Sequence, residues 1–204
     1  FTSVQVVLSA LDRLEVRGRD SAGVHLLVRG HGLDLGTGGL KAMLEARTGD
    51  PLFRDGAVRV AGGALGFVYK AAAEIGELGD NTRALRAAIA ADELLRLALR
   101  SPDAEAVVVA HTRWASVGII SQANAHPLNS EEEGTDACPY VIGALNGDVD
   151  NHADLEAAHA LRVAAEITTA AKVIPTLVSR RLAEGDDAVE AFRSTVAAFE
   201  GSVA

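Results

Sequence analysis

The spacing of apolar residues predicts that the chain begins with an amphipathic helix over residues 2–16. Thr2 and Gln5 stand at the spacing of a capping box, and Gly18 favours a helix end. One face of this helix would carry the apolar side chains of Val4, Val7, Leu8, Leu11 and Leu14.

Three short apolar runs, at residues 24–28, 106–110 and 140–145, predict β-strands. The second run is rich in β-branched residues and follows a proline-aspartate break, so we expect it to form a buried strand. A glycine-rich turn follows the first run, and residues 33–35 would return as its hairpin partner.

The alanine-rich segment at about 40–100 is predicted to be mostly helical. Its clearest helices are 67–78 and 81–100, and Asp92 interrupts the apolar face of the second one. The pattern therefore indicates a mixture of helix and strand. Three more helices are predicted at residues 151–161, 168–182 and 187–199.

Composition and charge narrow the class of protein. The 204 residues suffice for one domain with its own core, and a hydrophobic content of 49% is typical of a globular chain. The net charge of -9, without a basic cluster, argues against a nucleic-acid or anionic-membrane partner. No apolar stretch approaches the roughly 20 residues of a membrane span. The single cysteine, Cys138, can form no disulfide within the chain, which fits a cytoplasmic setting, and we expect a small buried residue.

Candidate chemistry is concentrated in residues 111–127, directly after the second predicted strand. A loop at the end of a strand is a common place for a small-molecule site. Arg113 offers a planar fork of donors for a carboxylate, Trp114 could form one wall of a pocket, and Ser116 could add a hydroxyl contact. An ordinary loop with a surface arginine is the alternative interpretation.

Two further positions have both a structural and a chemical interpretation. Asn146-Gly147 after a strand is typical of a hairpin turn. The Asn146 amide and the Gly147 backbone N–H could instead donate together to a developing oxyanion. Arg17, considered by itself, would pair with Asp20 at the end of the first helix.

Other features predict no site. The glycines of residues 36–39 lack the spacing of a phosphate-binding loop, and the acidic loop 131–133 is expected to be solvated. We expect no metal and no cofactor. Four histidines, which lack metal-ligand spacing, are interpreted as surface or helix-end residues: His25, His31, His152 and His159.

Three stretches resemble one family and come in that family's order. HTRWASVG at 111–118 and NAHP at 124–127 resemble the HTRWAT-x-G and NAHP of the glutaminase domain of glutamine–fructose-6-phosphate aminotransferase, a class II glutamine amidotransferase. LEVRGRDSAG at 14–23 resembles the family's LEYRGYDSAG, and LNGDVDN at 145–151 resembles its HNGxxxN. The resemblance covers most of residues 11–182.

The resemblance implies an α+β fold, a four-layer αββα sandwich of the N-terminal nucleophile hydrolase type. Residues 1–204 would form a single, partial domain with a helical insertion at about 40–100. The family releases ammonia from L-glutamine for aminosugar-phosphate synthesis in a downstream sugar-isomerase domain. We expect a homo-oligomer for the full-length protein, without nucleic-acid or membrane partners.

The resemblance also assigns roles to the candidate residues. Asn146 and Gly147 would form the oxyanion hole. The substrate would be bound by Arg113, Trp114, Ser116 and Arg17, and Arg17 would lie beside the catalytic centre.

The sequence departs from the family in several places. The nucleophilic N-terminal cysteine would lie immediately before Phe1, so the chain as given is expected to lack glutaminase activity. The patterns at Phe1 and at 201–203 also indicate truncation at both ends. Residues 167–170 lack the aspartate that holds the glutamine amine, so Glu166 or a neighbouring group would substitute, and Val117 replaces a histidine. A non-catalytic regulatory or sensing domain derived from this fold is the alternative interpretation.

Overall fold

The computed structural model describes residues 2–72, 77–115, 118–135 and 139–203, so the predictions for Ser116, Val117 and Cys138 lie outside the described residues. Helices and antiparallel strands together make an α+β fold, as expected. The helices are α1 (Thr2–Leu14), α2 (Gly38–Thr48), α3 (Asp80–Ala91), α4 (Glu93–Ala98), α5 (His152–Ala158), α6 (Val173–Glu184) and α7 (Ala188–Val196). The strands are β1 (Ser21–Arg29), β2 (Val58–Ala61), β3 (Ala64–Ala72), β4 (Glu105–Arg113), β5 (Leu128–Asn129), β6 (Ile142–Gly143), β7 (Gly147–Val149) and β8 (Gly201–Val203).

The main sheet has the strand order β2-β3-β1-β4, and every neighbouring pair is antiparallel. Ser21, at the start of β1, stands opposite Ala72 of β3 and Arg113 of β4. Because residues directly opposite each other share a face of the sheet, this register decides which side chains meet.

One face of the sheet packs against helices α1 to α4 and forms the first core. The predicted first helix is confirmed, and it buries Val4, Leu8 and Leu11 there. The other face carries polar groups, because Gly23 stands opposite both Lys70 and His111. The strands contribute to the first core the alternate side chains of Ala22, Val24, Leu26, Val28, Leu65, Phe67, Tyr69 and Ala71.

The prediction of a helix at 67–78 is wrong, because this region begins within β3. Nearly every residue of β3 is buried on one face or the other, so its sequence, which is mostly apolar apart from Lys70, has no period of two. The expected helical segment at 40–100 therefore contains two strands, β2 and β3, as well as α2, α3 and α4. The helix predicted at 81–100 is divided at Asp92, whose carboxylate caps α4.

Two strand predictions are also corrected. Residues 33–35 do not return as a hairpin, since β1 pairs with β3 and β4 instead. The second predicted strand exists as β4, but β4 lies at an edge of the sheet, and Val107 is 62% exposed. Its alternate residues Ala106, Val108 and Ala110 pack against the first core.

A second core holds the C-terminal half together around α6, and β7 pairs with β8 beside it. Asp187 caps α7 by accepting hydrogen bonds from two backbone N–H groups, as its position before an amphipathic run predicts. None of the helices among the described residues is long and apolar enough to cross a membrane. The buried members of the second core are Leu128, Leu145, Val149, Leu155, Ala170, Ala171, Val173, Ile174 and Leu177.

Candidate functional site

A cavity of about 280 Å³ lies where β4 ends. Small-molecule pockets usually measure roughly 300–1,000 Å³, so this cavity suits a ligand of about amino-acid size. Its described lining comes from five separate segments of the sequence: residue 17 and residues 111–114, 126, 145–148 and 169–171. The residues singled out from the sequence that line it are Arg17, Arg113, Trp114, Asn146 and Gly147.

Arg113 brings a buried positive charge to this cavity. Arg113 is only 5% exposed, and its Nη1 donates a hydrogen bond to the Ile119 carbonyl at 3.4 Å. Burial lowers the pKa of the Arg113 guanidinium, while the carboxylates of Asp20 and Asp148 oppose that effect. A guanidinium remains charged at neutral pH, so the site can bind a carboxylate through a planar fork of donors.

Two histidines form a neutral part of the cavity wall. The ring centroids of His111 and His126 are 4.9 Å apart. Burial lowers the pKa of both imidazoles, and the nearby charge of Arg113 lowers them further. His126 Nδ1 accepts from the Leu145 N–H at 3.4 Å, which leaves Nε2 to donate to Thr169 Oγ1 at 3.3 Å. Both rings are therefore uncharged at neutral pH.

Asn124, the first residue of NAHP, fixes the segment that carries Thr169. The Asn124 side chain is fully buried, and its Oδ1 accepts hydrogen bonds from the N–H groups of Thr168 and Thr169 at 2.7 and 3.0 Å. Its Nδ2 donates to the Glu166 carbonyl at 3.0 Å. Asn124 thus holds Thr169 beside His126 without lining the cavity itself.

Gly23 allows the loop that carries His126 to lie directly on β1. A Cβ atom at Gly23 would be 2.2 Å from the His126 carbonyl oxygen, which is backbone and cannot move independently. We therefore expect Gly23→Ala to lower the free energy of unfolding by about 1–3 kcal/mol, the usual cost of overpacking. Chemical denaturation measures the change. Gly39→Ala in α2, where a Cβ meets nothing within 4 Å, is the control; equal effects of the two substitutions would contradict the close approach.

The expected pairing of Arg17 with Asp20 is not found, and a role of Arg17 beside a catalytic centre stays a prediction. The Asp20 carboxylate accepts a hydrogen bond from the Ala115 N–H at 2.8 Å, and Arg17 lies at the cavity instead of forming an ion pair with it. Trp114 is 66% exposed, so its ring stands at the rim of the cavity.

Sequence reasoning overlooked His111, His126 and Asp148 as cavity residues. The alternation of a strand provides a signal for His111, because residues two apart on β4 share a face and His111 is two before Arg113. Asp148 directly follows Gly147, but its approach to the cavity depends on how β7 packs. Glu166, the carboxylate considered as a substitute, has an exposed side chain and does not line the cavity.

The interpretation of His25 and His31 as surface residues is wrong, since both are buried. His25 Nε2 is 3.1 Å from the Tyr140 hydroxyl, and burial together with the charge of Lys70 lowers the pKa of His25 to about 4. His31 Nδ1 accepts from the Leu33 N–H at 3.0 Å. Within the described ranges, no group of three or more His, Cys, Asp or Glu side chains is placed to hold a metal ion.

A larger cleft, of about 710 Å³, lies away from the motif residues, beside the acidic loop 131–133. Two of the carboxylates that line it are engaged in ion pairs, because Arg59 Nε donates to Glu131 at 2.6 Å and Arg180 Nη2 donates to Glu132 at 2.7 Å. The expected solvation of the loop is wrong for Glu132, whose side chain is 4% exposed. The described lining of this cleft includes none of the motif residues that meet at the smaller cavity.

A buried guanidinium and an Asn-Gly pair at one cavity of an α+β fold are compatible with a glutaminase domain. Comparison with curated proteins identifies the relatives as enzymes named glutamine–fructose-6-phosphate aminotransferase (isomerizing). The chain is 35% identical to the Halalkalibacterium halodurans protein over 98 residues, or 48% of the chain. It is 34% identical to the Geobacillus kaustophilus protein over 104 residues and 33% identical to the Sulfurisphaera tokodaii protein over 99 residues, or 50% and 48% of the chain.

These matches confirm the resemblance inferred from the three motifs. The chain spans only a small part of the relatives, with 15% of the first protein's length matched and 16% of the other two. No family model matches the chain.

Proposed function

We propose that this chain is the glutamine-binding part of a class II glutamine amidotransferase of the glutamine–fructose-6-phosphate aminotransferase type. The observation that carries the proposal is the meeting of Arg113 with Asn146 and Gly147 at one cavity of amino-acid size. The named relatives support the same class of activity.

In this proposal Arg113 binds the substrate, and Asn146 and Gly147 take part in catalysis. Arg113 holds the α-carboxylate of glutamine by charge-assisted hydrogen bonds. When a nucleophile attacks the side-chain amide, its carbonyl oxygen gains negative charge, and the Asn146 amide and Gly147 N–H stabilise that charge. Each such oxyanion-hole donor contributes roughly 3–4 kcal/mol in acyl-transfer enzymes where it has been measured. Arg17 and Trp114 complete the substrate pocket, and a substrate contact by Ser116, which lies outside the described residues, stays a prediction.

The wider setting follows from the same family. An N-terminal cysteine of the full-length protein supplies the nucleophile, with its own α-amine as general base. The domain is a four-layer αββα sandwich with an insertion at about 40–100. The ammonia released serves aminosugar-phosphate synthesis in a sugar-isomerase domain of a cytoplasmic homo-oligomer.

The test is a calorimetric titration of L-glutamine into the parent chain and into Arg113→Ala. We expect the variant to bind about 10- to 100-fold more weakly, because a buried charge-assisted contact is lost. Arg113→Lys keeps the charge but loses the fork, so an intermediate affinity is expected. Circular dichroism checks that both variants are folded.

Arg83→Ala is the matched control, since Arg83 is an exposed arginine of α3 that pairs with Asp80. Affinity for glutamine that is unchanged in a folded Arg113→Ala variant would refute the proposed role of Arg113. A parent chain that does not bind glutamine would refute the proposed function as a whole.

A further inference from the structure

We propose that Asp148 binds the α-ammonium group of glutamine, an inference that rests on the proposed function. The chain has no carboxylate in residues 167–170, where the resembled family places its amine-binding aspartate. Among the described residues that line the cavity, Asp148 is the one carboxylate. The cavity therefore does contain a carboxylate, but it comes from β7 and not from residues 167–170.

The charges around the cavity fit a zwitterionic ligand. Arg113 provides a buried positive charge, His111 and His126 are neutral, and Asp148 provides a negative charge close enough to act on Arg113. The head group of an amino acid carries an ammonium and a carboxylate on one carbon atom. A carboxylate and a guanidinium that lie close together at one cavity can therefore each bind the oppositely charged part of that group.

The fold fixes Asp148 at this place. Asp148 is the middle residue of β7 and stands opposite Ser202 of β8. Leu145 and Val149, which flank the Asn146–Asp148 segment, are 4% and 1% exposed and anchor it in the second core. The half-buried side chain of Asp148 therefore projects from a segment held at both ends.

The test compares two ligands that differ only in the α-amine: L-glutamine and glutaramic acid, in which hydrogen replaces that amine. Asp148→Asn keeps the size of the side chain and removes its charge. We expect calorimetry to give a Kd for L-glutamine about 10- to 100-fold weaker than that of the parent. The Kd for glutaramic acid should stay within about threefold, since that ligand has no group for Asp148 to bind.

Glu166→Gln is the control, because it removes the carboxylate nearest in sequence to residues 167–170 from a side chain outside the cavity. We expect this variant to bind both ligands as the parent does. Equal weakening of both ligands by Asp148→Asn, or unchanged binding of L-glutamine, would overturn the assignment of Asp148. If the parent binds glutamine in an Arg113-dependent manner, those results leave the proposed function standing, whereas a parent that binds no glutamine refutes both.

Discussion

Replacing Asp92 with alanine is expected to lower the free energy of unfolding by about 3–5 kcal/mol, the usual cost of removing one partner of a buried ion pair. Asp92 accepts from Arg47 Nη1 and Nη2 at 2.9 and 2.6 Å and from the Tyr69 hydroxyl at 2.5 Å. It also accepts from the Leu95 N–H at 3.0 Å, so it caps α4. The substitution removes this acceptor from a half-buried guanidinium and a buried phenol.

The pH dependence of this loss has a defined sign. Burial raises the pKa of Asp92, but the hydrogen bonds from Arg47 and Tyr69 outweigh it and hold that pKa below its ordinary value of 3.8. The stabilisation is therefore fully present above pH 3.8 and is lost as the pH falls through the folded-state pKa. Urea denaturation of parent and variant at pH 7 and at pH 3 should show a smaller difference at the lower pH.

Two further variants serve as controls for Asp92→Ala: one removes only the charge of Asp92, and the other removes an exposed ion pair. Asp92→Asn retains a capping oxygen but not the charge, so an intermediate loss is expected. Asp12→Ala removes the carboxylate that pairs with Arg86 at the surface, and it should have little effect, since exposed ion pairs contribute little. A loss from Asp92→Ala no larger than that from Asp12→Ala would show that the buried network does not stabilise the fold.

Replacing Lys70 with methionine is expected to raise the free energy of unfolding at pH 7 by about 2–4 kcal/mol. Lys70 is 2% exposed, and its Nζ has no hydrogen-bond partner among the described residues. Burial, together with the positive charge of Lys172, lowers the pKa of Lys70 to about 7. Methionine has a similar length and no charge to bury, so it removes this cost.

The increase in the free energy of unfolding caused by Lys70→Met should depend on pH. Between the folded-state pKa of about 7 and the unfolded value of 10.5, the unfolded chain binds more protons at Lys70, so the parent becomes more stable as the pH rises. The advantage of Lys70→Met is therefore largest at pH 7 and below, and it shrinks towards pH 10.5. Denaturation curves of both proteins at pH 7, 8, 9 and 10 measure this trend.

Lys172→Met is the matched control for Lys70→Met. Lys172 is also buried, but its Nζ donates to the Asn129 carbonyl at 2.7 Å and to the Glu131 carbonyl at 2.6 Å. Its removal leaves those acceptors unsatisfied, so this variant should be less stable than the parent. A Lys70→Met protein that is less stable than the parent at pH 7, or a gain that is independent of pH, would contradict the account of Lys70.

The motifs that resemble the family were sufficient to predict part of the candidate site. The motifs at 14–23, 111–127 and 145–151 predicted that Arg17, Arg113 and the Asn146–Gly147 pair belong together, and all line one cavity. They did not indicate Asp148, because its place at the cavity depends on β7 being anchored by Leu145 and Val149 in the second core.

The amphipathic spacing of α1 and the cap of α7 are properties of neighbouring residues, so the sequence by itself determined them. The strand β3 and the buried charges of Lys70 and Asp92 were decided only by the tertiary structure. A strand that is covered on both faces, like β3, has no alternation of apolar and polar residues to reveal it. Asp92 bonds to Arg47, which lies 45 residues away in the chain. The periodicity of a sequence shows which face of a helix or strand is apolar. The hydrogen-bond partner of a buried polar group comes from a distant segment, and only folding brings the two together.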